Sequence, residues 1–164
     1  MRTPVRAIGL IATSLFLIAG CGPPNYVAMT DHMAPTIERG DIIAIDRRAY
    51  TERTPRRGEI VGYHAPDDPG GRMLIGRIVA TGGDSLRAED GPLLLNDEPV
   101  EERYLAAPTT VRIDTLRVPD DHAYILGDNR DDARDSRAFG PVPVEAVIGR
   151  IVDVQKPPGS DVPQ

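Results

Sequence analysis

Charged and hydroxyl side chains are concentrated between Gly127 and Gly140, where the chain reads GDNRDDARDSRAFG. Asp and Asn side chains in this segment can accept hydrogen bonds from Arg guanidinium groups and from backbone N–H groups. A segment of this composition can therefore hold itself together by ion pairs and by side-chain-to-backbone bonds. The pattern predicts a polar loop folded over a functional site.

A histidine and an aspartate that could take part in catalysis are adjacent near the start of the chain, where His32 follows Asp31. An imidazole beside a carboxylate can serve as a general base for a hydroxyl nucleophile when the three groups lie within hydrogen-bond reach. Adjacent residues of an extended chain point to opposite faces, which places Asp31 and His32 poorly for mutual contact. The sequence therefore favours a non-catalytic interpretation of this pair and leaves a triad as the alternative.

Four further segments stand in a fixed order before residues 127–140. They read HMAPT at residues 32–36, GD at 40–41, GRIVATGGD at 76–84, and LN, E and YL at 95–96, 102 and 104–105. In order and spacing, over roughly residues 29 to 152, the chain closely resembles the bacterial type I signal peptidases. Those proteins are membrane-attached serine proteases that cut signal peptides from exported proteins, and the resemblance implies their β fold.

The resemblance fails at three positions that form one catalytic unit in that family. His32 stands at the position of the nucleophilic serine, Gly76 at that of the general-base lysine, and Ala133 at that of a serine that hydrogen-bonds the lysine. Thr30 stands where many members carry a hydroxyl that helps to bind the oxyanion. Because no intact catalytic set is left, we expect the chain to lack proteolytic activity.

The composition offers no replacement for the missing lysine. Among nineteen basic residues the only lysine is Lys156, in a Pro- and Gly-rich segment near the end of the chain. A lysine can act as a base when burial lowers its pKa, whereas arginine stays protonated. The alternative is an active peptidase with an unfamiliar nucleophile, for which loss of turnover in Thr30→Ala would be the test.

Other motif residues resemble the parts of the family that bind peptide or hold the fold. By resemblance, a peptide lies as an added strand between residues 29–35 and the strand at residues 73–79. The cleft residues implied in this way are Met33, Pro35, Arg77 and Ile78. The structural brace of the polar loop is implied to be Asp128, Asn129, Arg130, Asp135, Ser136 and Arg137.

The two main substitutions change side-chain size in opposite directions. Serine to His32 adds bulk, and lysine to Gly76 removes it. A void left by the lysine stem would lower the stability of the fold. We therefore expect His32 to lie against the Gly76 strand and to fill the space of the missing lysine.

The first twenty residues predict an export signal. Arg2 and Arg6 precede an apolar stretch at residues 7–19, which has the length of a signal-peptide core and is shorter than a comfortable membrane span. The sequence LIAGC at residues 17–21 resembles the bacterial lipobox, in which the cysteine receives lipid. We therefore expect Cys21 to attach the protein to the extracytoplasmic side of a bacterial membrane, in the cell envelope. A free or buried thiol after an ordinary export signal is the alternative.

Charge and histidine spacing exclude several kinds of partner. The formal net charge is −6, and it becomes −8 without residues 1–20, which hold two basic residues and no acidic ones. This balance argues against nucleic acid as a partner. His32, His64 and His122 show no repeated ligand spacing, so we expect no metal, and no motif suggests a cofactor.

Short β-branched runs separated by Gly, Pro and Asp predict a mainly β fold after the leader. The predicted strands are residues 41–45, 59–64, 73–81, 92–95, 110–118, 123–126 and 146–154. In the segment 110–118 the apolar alternation slips by one residue, which predicts a β-bulge. We expect coiled antiparallel sheets or a β-sandwich-like arrangement, with no long helix.

These expectations divide the chain into four parts and leave three functions open. The parts are a lipoprotein-type signal peptide (1–20), a lipidated tether (21–28), a signal-peptidase-like β domain (29–155) and a flexible tail (156–164). The leading function is a lipid-anchored, proteolytically silent protein with a peptide-binding cleft, whose partners are signal peptides or proteins of the export machinery. The second is an active membrane-associated serine-type endopeptidase with a non-standard nucleophile and base. The third is a structural envelope lipoprotein in which His32 plugs the cleft.

Overall fold

The computed structural model describes residues 23–107 and 111–157 of the chain. Within them the chain forms eleven strands in two sheets, one short α-helix and one 3-10 turn. The predicted leader, the predicted lipidation site Cys21 and residues 158–164 of the predicted tail lie outside the described residues. None of the helices in the described ranges has the length and apolar character needed to cross a membrane.

All strand pairings are antiparallel. The strands are β1 (Asn25–Val27), β2 (Ile42–Asp46), β3 (Ile60–Tyr63), β4 (Leu74–Thr81), β5 (Ser85–Ala88), β6 (Leu94–Leu95), β7 (Glu98–Pro99), β8 (Ile113–Arg117), β9 (His122–Leu126), β10 (Val142–Pro143) and β11 (Val147–Gln155). The helix α1 (Ser136–Phe139) lies between β9 and β10. The larger sheet has the order β1-β2-β11-β3-β4-β9-β10, and the smaller sheet has the order β7-β6-β5-β8. The predicted class, mainly β with antiparallel sheets, is confirmed.

The turn between β4 and β5 carries the chain from the larger sheet to the smaller one. Gly83 adopts a φ of 88°, which a residue with a side chain rarely tolerates. The Asp84 carboxylate accepts hydrogen bonds from the Thr81 backbone N–H, the Thr81 hydroxyl and the Asn96 amide. Partial burial would raise the pKa of Asp84, but these hydrogen bonds outweigh it and hold the pKa below its ordinary value. The charged carboxylate therefore stabilises this corner of the fold.

Each strand predicted from the sequence overlaps an observed strand. The predicted bulge is present in β8, because Leu86 and Ala88 of β5 face Leu116 and Ile113, so that three steps on β8 match two on β5. The strands β1, β5, β7 and β10 were not predicted. They are two to four residues long, which is too short for an alternating pattern to be visible.

The structure places two residue groups near the predicted domain boundaries in contact with the rest of the fold. The predicted tether at residues 21–28 contains β1, which pairs with β2 at the edge of the larger sheet and so belongs to the folded domain. The predicted tail begins at Lys156, yet the Lys156 ammonium donates hydrogen bonds to Glu38 and Asp41. Asn25–Val27 and Lys156 are held by long-range contacts that are not visible in the local composition.

The core consists almost entirely of aliphatic residues and is divided into three clusters. One lies between the smaller sheet and the inner strands of the larger sheet, around Leu86, Leu93 and Leu126. A second surrounds Tyr63, Ile78 and Ile125 on one face of the larger sheet. The third, on the other face, holds the buried residues Ala28, Met33, Ile37, Ile43 and Ile45. This third cluster holds the segment between β1 and β2 against the larger sheet.

Candidate functional site

The three substituted motif positions lie around one short segment, Leu126–Gly127, at the end of β9. A Cβ atom placed on Gly127 would lie 2.3 Å from the Ala133 Cβ and 2.5 Å from the His32 carbonyl oxygen. A Cβ placed on Gly76 would lie 3.2 Å from the Leu126 carbonyl oxygen. The fold thus brings positions 32, 76 and 133 to one place, and glycine at 127 permits the close approach.

The space in front of Gly76 is filled by hydrophobic side chains. A Cβ at this position would meet Ile125 Cγ2 at 2.5 Å and Tyr63 Cε1 at 3.2 Å. Both side chains belong to the buried cluster on one face of the larger sheet. The expectation that His32 fills the space of a missing lysine is therefore wrong, because Ile125 and Tyr63 already close it. His32 does lie beside the strand that contains Gly76, since His32, Leu74 and Ile75 line one cavity.

Two asparagine contacts and one aspartate contact join the polar loop to the His32 segment. The Asn129 backbone N–H donates to the His32 carbonyl at 3.0 Å, and the Asn129 amide donates to the Asp31 carbonyl at 3.1 Å. The Thr36 hydroxyl donates to the Asp128 carboxylate. The loop therefore fixes the backbone of residues 31–36 and does not present a free catalytic group.

The Asp31–His32 pair does not form a catalytic arrangement. The Asp31 carboxylate accepts a hydrogen bond from the Arg39 backbone N–H at 2.9 Å and lies 3.6 Å from the Arg39 guanidinium. In the described ranges no hydroxyl, carboxylate or amide hydrogen-bonds the imidazole of His32, which is half-buried. Thr30 is exposed at the cavity wall. The alternative triad therefore lacks both its orienting carboxylate and its hydroxyl.

The lone amine of the chain is held as a cation. The Lys156 Nζ atom lies 2.8 Å from Glu38 Oε2 and 3.1 Å from Asp41 Oδ2. These hydrogen bonds raise the pKa of Lys156 above its ordinary value. A general-base lysine needs the opposite shift, so Lys156 cannot supply the missing base.

A cavity of about 450 Å³ lies between the start of the larger sheet and the beginning of β4. One wall comes from residues 26–30 with His32 and Met33, the opposite wall from residues 72–75, and the floor from Ile37 and Ile43. Its volume is within the range of ordinary ligand sites, and its walls are mainly apolar. This cavity is the candidate functional site.

Two backbone edges border the cavity. β1 is the outermost strand of the larger sheet, so its outer side pairs with no described strand. β4 pairs with β3 from Leu74 onward, whereas its pairing with β9 begins only at Arg77. The backbone at Leu74 and Ile75 therefore has a strand partner on one side only. Open edges of this kind can accept an extended peptide.

The implied cleft residues are distributed differently from the expectation. Met33 lines the cavity and is 2% exposed. Pro35 is exposed and lies outside the lining, and Ile78 is fully buried on the opposite face of the sheet. Arg77 donates two hydrogen bonds to Asp128 and is not part of the lining either. Of these residues only Met33 is therefore placed to contact a ligand in the cavity.

The first element of the implied brace is a buried ion pair between β4 and the polar loop. Arg77 Nε and one terminal nitrogen donate to the two Asp128 oxygens at 2.9 and 2.7 Å. The Asp128 side chain is fully buried. The Arg77 guanidinium also lies 3.9 Å from the centre of the Tyr104 ring, a cation–π distance. This pair ties the motif at residues 32–36 to β4 through Thr36 and Asp128.

Arg130 forms the second element of the brace. Its guanidinium donates to both Glu102 carboxylate oxygens at 3.1 and 2.6 Å and to the Gly127 carbonyl at 3.0 Å. The Arg130 and Glu102 side chains are each 5% exposed. The Tyr104 hydroxyl donates to the same carboxylate, and burial followed by this contact raises the pKa of Tyr104. The segment around residue 102 is thereby attached to the polar loop.

Asp135, Ser136 and Arg137 form the third element. The Asp135 carboxylate caps α1, pairs with the Arg137 guanidinium at 2.8 Å and accepts a hydrogen bond from the Gly127 backbone N–H. The Ser136 hydroxyl accepts a hydrogen bond from the Ile125 backbone N–H at 3.0 Å. The hydroxyl of Ser136 is therefore used to hold β9 and is separated from the cavity.

Sequence reasoning missed the residues that give the cavity its chemical character. Arg72 and Met73 form part of the wall at β4, and Tyr26 and Val27 form part of the wall at β1. No motif marks Arg72, which precedes a predicted strand, and the three residues of β1 are too few to show a strand pattern. In residues 23–107 and 111–157, no group of three or more His, Cys, Asp and Glu side chains has the geometry of a metal site.

Residues 1–154 of the chain match the family described as signal peptidase, peptidase S26. The chain is 29% identical over 154 residues to the probable signal peptidase I-1 of Synechocystis sp. (strain ATCC 27184 / PCC 6803 / Kazusa), which covers 89% of this chain and 76% of that protein. It is 31% identical over 161 residues to the chloroplastic thylakoidal processing peptidase 1 of Arabidopsis thaliana, covering 93% of this chain but only 47% of that protein.

The fold is also similar to a solved structure. The crystal structure of a signal peptidase I from Enterococcus faecalis V583 superposes with a TM-score of 0.52 and 26% sequence identity. The match covers 61% of this chain and 98% of that chain. This similarity agrees with the motif order in the sequence and with the antiparallel sheets, since all three point to the same family.

Proposed function

This chain belongs to the signal peptidase family, peptidase S26, and we propose that it is a lipid-anchored member that lacks proteolytic activity and binds extended peptides in its cavity. The observation that carries the proposal is the chemistry of the catalytic positions. Histidine, glycine and alanine occupy positions 32, 76 and 133, where the family resemblance implies serine, lysine and serine. Hydrolysis by a Ser/Lys pair needs a neutral amine beside a hydroxyl.

The environment of these positions supports an inactive state. Ile125 and Tyr63 occupy the space that a lysine stem at Gly76 would need. The ammonium of Lys156 is bound to two carboxylates. Without a proton acceptor, a hydroxyl at the cavity wall such as that of Thr30 stays a weak nucleophile at neutral pH.

The shape of the cavity supports peptide binding. The open edges of β1 and of β4 at Leu74 and Ile75 can form backbone hydrogen bonds with an added strand. The apolar walls, which include Met33 and Met73, can bury alternate side chains of that strand. Signal peptides, or peptide segments of export-machinery proteins, are the ligands we propose for it.

The position of β1 supports a membrane-proximal cleft. Three residues separate Cys21 from Asn25, the first residue of β1, so that four extended steps span at most about 14 Å. A lipid on Cys21 would therefore hold the first wall of the cavity close to the bilayer surface. We propose that the protein resides in the cell envelope, on the extracytoplasmic side of a bacterial membrane.

The purified full chain is expected to bind a fluorescein-labelled preprotein peptide without cleaving it. Binding is measured by fluorescence anisotropy and cleavage by mass spectrometry, with a proteolytically active signal peptidase as the positive control for the peptide. Turnover that is abolished by Thr30→Ala would contradict the proposal and support an active peptidase with a non-standard nucleophile. Absence of both binding and cleavage would instead support a structural envelope lipoprotein.

Lipidation is expected at Cys21. Two acyl chains suffice for stable membrane attachment, so the wild-type chain should remain in the membrane fraction after a high-salt wash. Metabolic labelling with a tritiated fatty acid should label the wild-type chain and leave Cys21→Ser unlabelled. Equal labelling of both chains would contradict the proposed anchor, and the labelling result does not depend on peptide binding.

A further inference from the structure

We propose that the cavity recognises the free C-terminal carboxylate of an apolar peptide, so that it binds a product of endoproteolysis more tightly than an uncut precursor. This inference rests on the proposed peptide-binding function and specifies its ligand. It follows from the two nitrogen-bearing side chains in the cavity wall that can donate hydrogen bonds to an anion, the imidazole of His32 and the guanidinium of Arg72.

These two side chains lie on opposite walls of the cavity and have no partner of their own. His32 belongs to the wall that follows β1, and Arg72 to the wall that precedes β4. Across the described ranges, neither side chain takes part in a hydrogen bond or an ion pair. By contrast, the buried arginines Arg77 and Arg130 each have a bidentate carboxylate partner.

Among the residues that the structure describes, none that lines the cavity is acidic, although the chain has twenty-five Asp and Glu residues. The nearest acidic neighbour of His32 in the chain, Asp31, is paired with Arg39 and is not part of the lining. The exposed Arg72 guanidinium and the half-buried His32 imidazole therefore present donors, in a mainly apolar wall, that have no protein acceptor within the described ranges. An anionic group on the ligand would accept hydrogen bonds from both, and such charge-assisted bonds become stronger where the bound ligand displaces water.

Because of where His32 lies, the cavity should bind the end of a peptide more tightly than an internal segment. An extended segment that passes through the cavity offers neutral amides, which the open edges of β1 and β4 can already pair. A chain that ends beside His32 offers two carboxylate oxygens in addition. Histidine occupies the position that the family resemblance assigns to the nucleophile, so the terminal carboxylate would lie where a peptidase holds the carbonyl that it attacks. The reaction that supplies this ligand is hydrolysis of a peptide bond after an apolar segment.

The test compares two fluorescein-labelled hexapeptides of identical Leu/Ala sequence, one ending in a free carboxylate and one in a carboxamide. With the full chain purified from membranes, anisotropy titrations should give a Kd at least about tenfold lower for the acid than for the amide. The advantage should fall to about twofold or less in Arg72→Gln and in His32→Gln. The matched control Arg87→Gln, which changes an exposed arginine of the smaller sheet outside the lining, should retain it.

The outcomes separate this inference from the function on which it rests. Equal binding of the acid and the amide would overturn carboxylate recognition and leave a peptide-binding cleft in place. Retention of the full acid preference in the double variant Arg72→Gln/His32→Gln would also overturn it. If neither peptide binds, both the inference and the proposed peptide-binding function fail.

Discussion

Replacing Gly76 by lysine is expected to lower the free energy of unfolding by at least about 4 kcal/mol, and replacing it by alanine by about 2 kcal/mol. The first side-chain carbon would lie 2.5 Å from Ile125 Cγ2, which is closer than two non-bonded carbon atoms can approach. It would also lie 3.2 Å from the Leu126 carbonyl oxygen. Lysine adds a longer stem and an ammonium without a partner in an apolar cluster. Urea unfolding followed by circular dichroism measures both changes.

A second substitution and a matched control test the cause of this loss. Ile125→Leu removes the Cγ2 methyl group at nearly constant volume, so Gly76→Ala/Ile125→Leu should recover about half of the stability lost in Gly76→Ala. Gly70→Ala places a Cβ in open space and should change the stability by less than about 0.5 kcal/mol. A neutral effect of Gly76→Ala would contradict the packing described around this strand.

This packing also bears on any attempt to restore catalysis. Changing His32, Gly76 and Ala133 to the residues implied by the family resemblance would return the chemical groups. The lysine stem would still meet Ile125 and Tyr63. A reconstructed catalytic unit must therefore also change Ile125, because the scaffold has closed over the position of the base.

Asp128→Asn is expected to lower the free energy of unfolding by about 3 to 5 kcal/mol. The substitution removes the negative charge of a fully buried carboxylate that accepts two hydrogen bonds from Arg77 and one from Thr36. The Arg77 guanidinium, whose side chain is 12% exposed, would be left without its counter-ion. Thermal and urea unfolding at neutral pH measure the change.

Two variants calibrate the Asp128 result. Thr36→Val removes one hydrogen bond to the same carboxylate and should cost about 1 kcal/mol. Glu101→Gln breaks the ion pair between Glu101 and Arg103, whose side chains are 72% and 84% exposed, respectively. Because water screens this pair, the free energy of unfolding should fall by less than about 0.5 kcal/mol. A loss in Asp128→Asn no larger than that in Glu101→Gln would show that the buried pair does not hold the loop to β4.

The sequence predicted much of the fold because its strands are marked locally. The strands predicted at residues 59–64 and 73–81 are observed as Ile60–Tyr63 and Leu74–Thr81, each bounded by Gly, Pro or Asp residues. The bulge in β8 was visible as a slip in the alternation of apolar residues. By contrast, β1 has only three residues and exists because β2 pairs with it, so local composition could not reveal it.

The absence of the residues needed for Ser/Lys chemistry can be read without coordinates, because it depends on residue types at motif positions and on the single lysine. What occupies the place of those residues depends instead on the three-dimensional packing. Ile125 closes over Gly76 because β4 and β9 pair in a particular register, and Lys156 meets Glu38 across 118 residues of chain. Arg72 and His32 likewise share a cavity only because two distant segments form its opposite walls. Contacts of this kind depend on long-range strand pairing, which motif spacing does not encode.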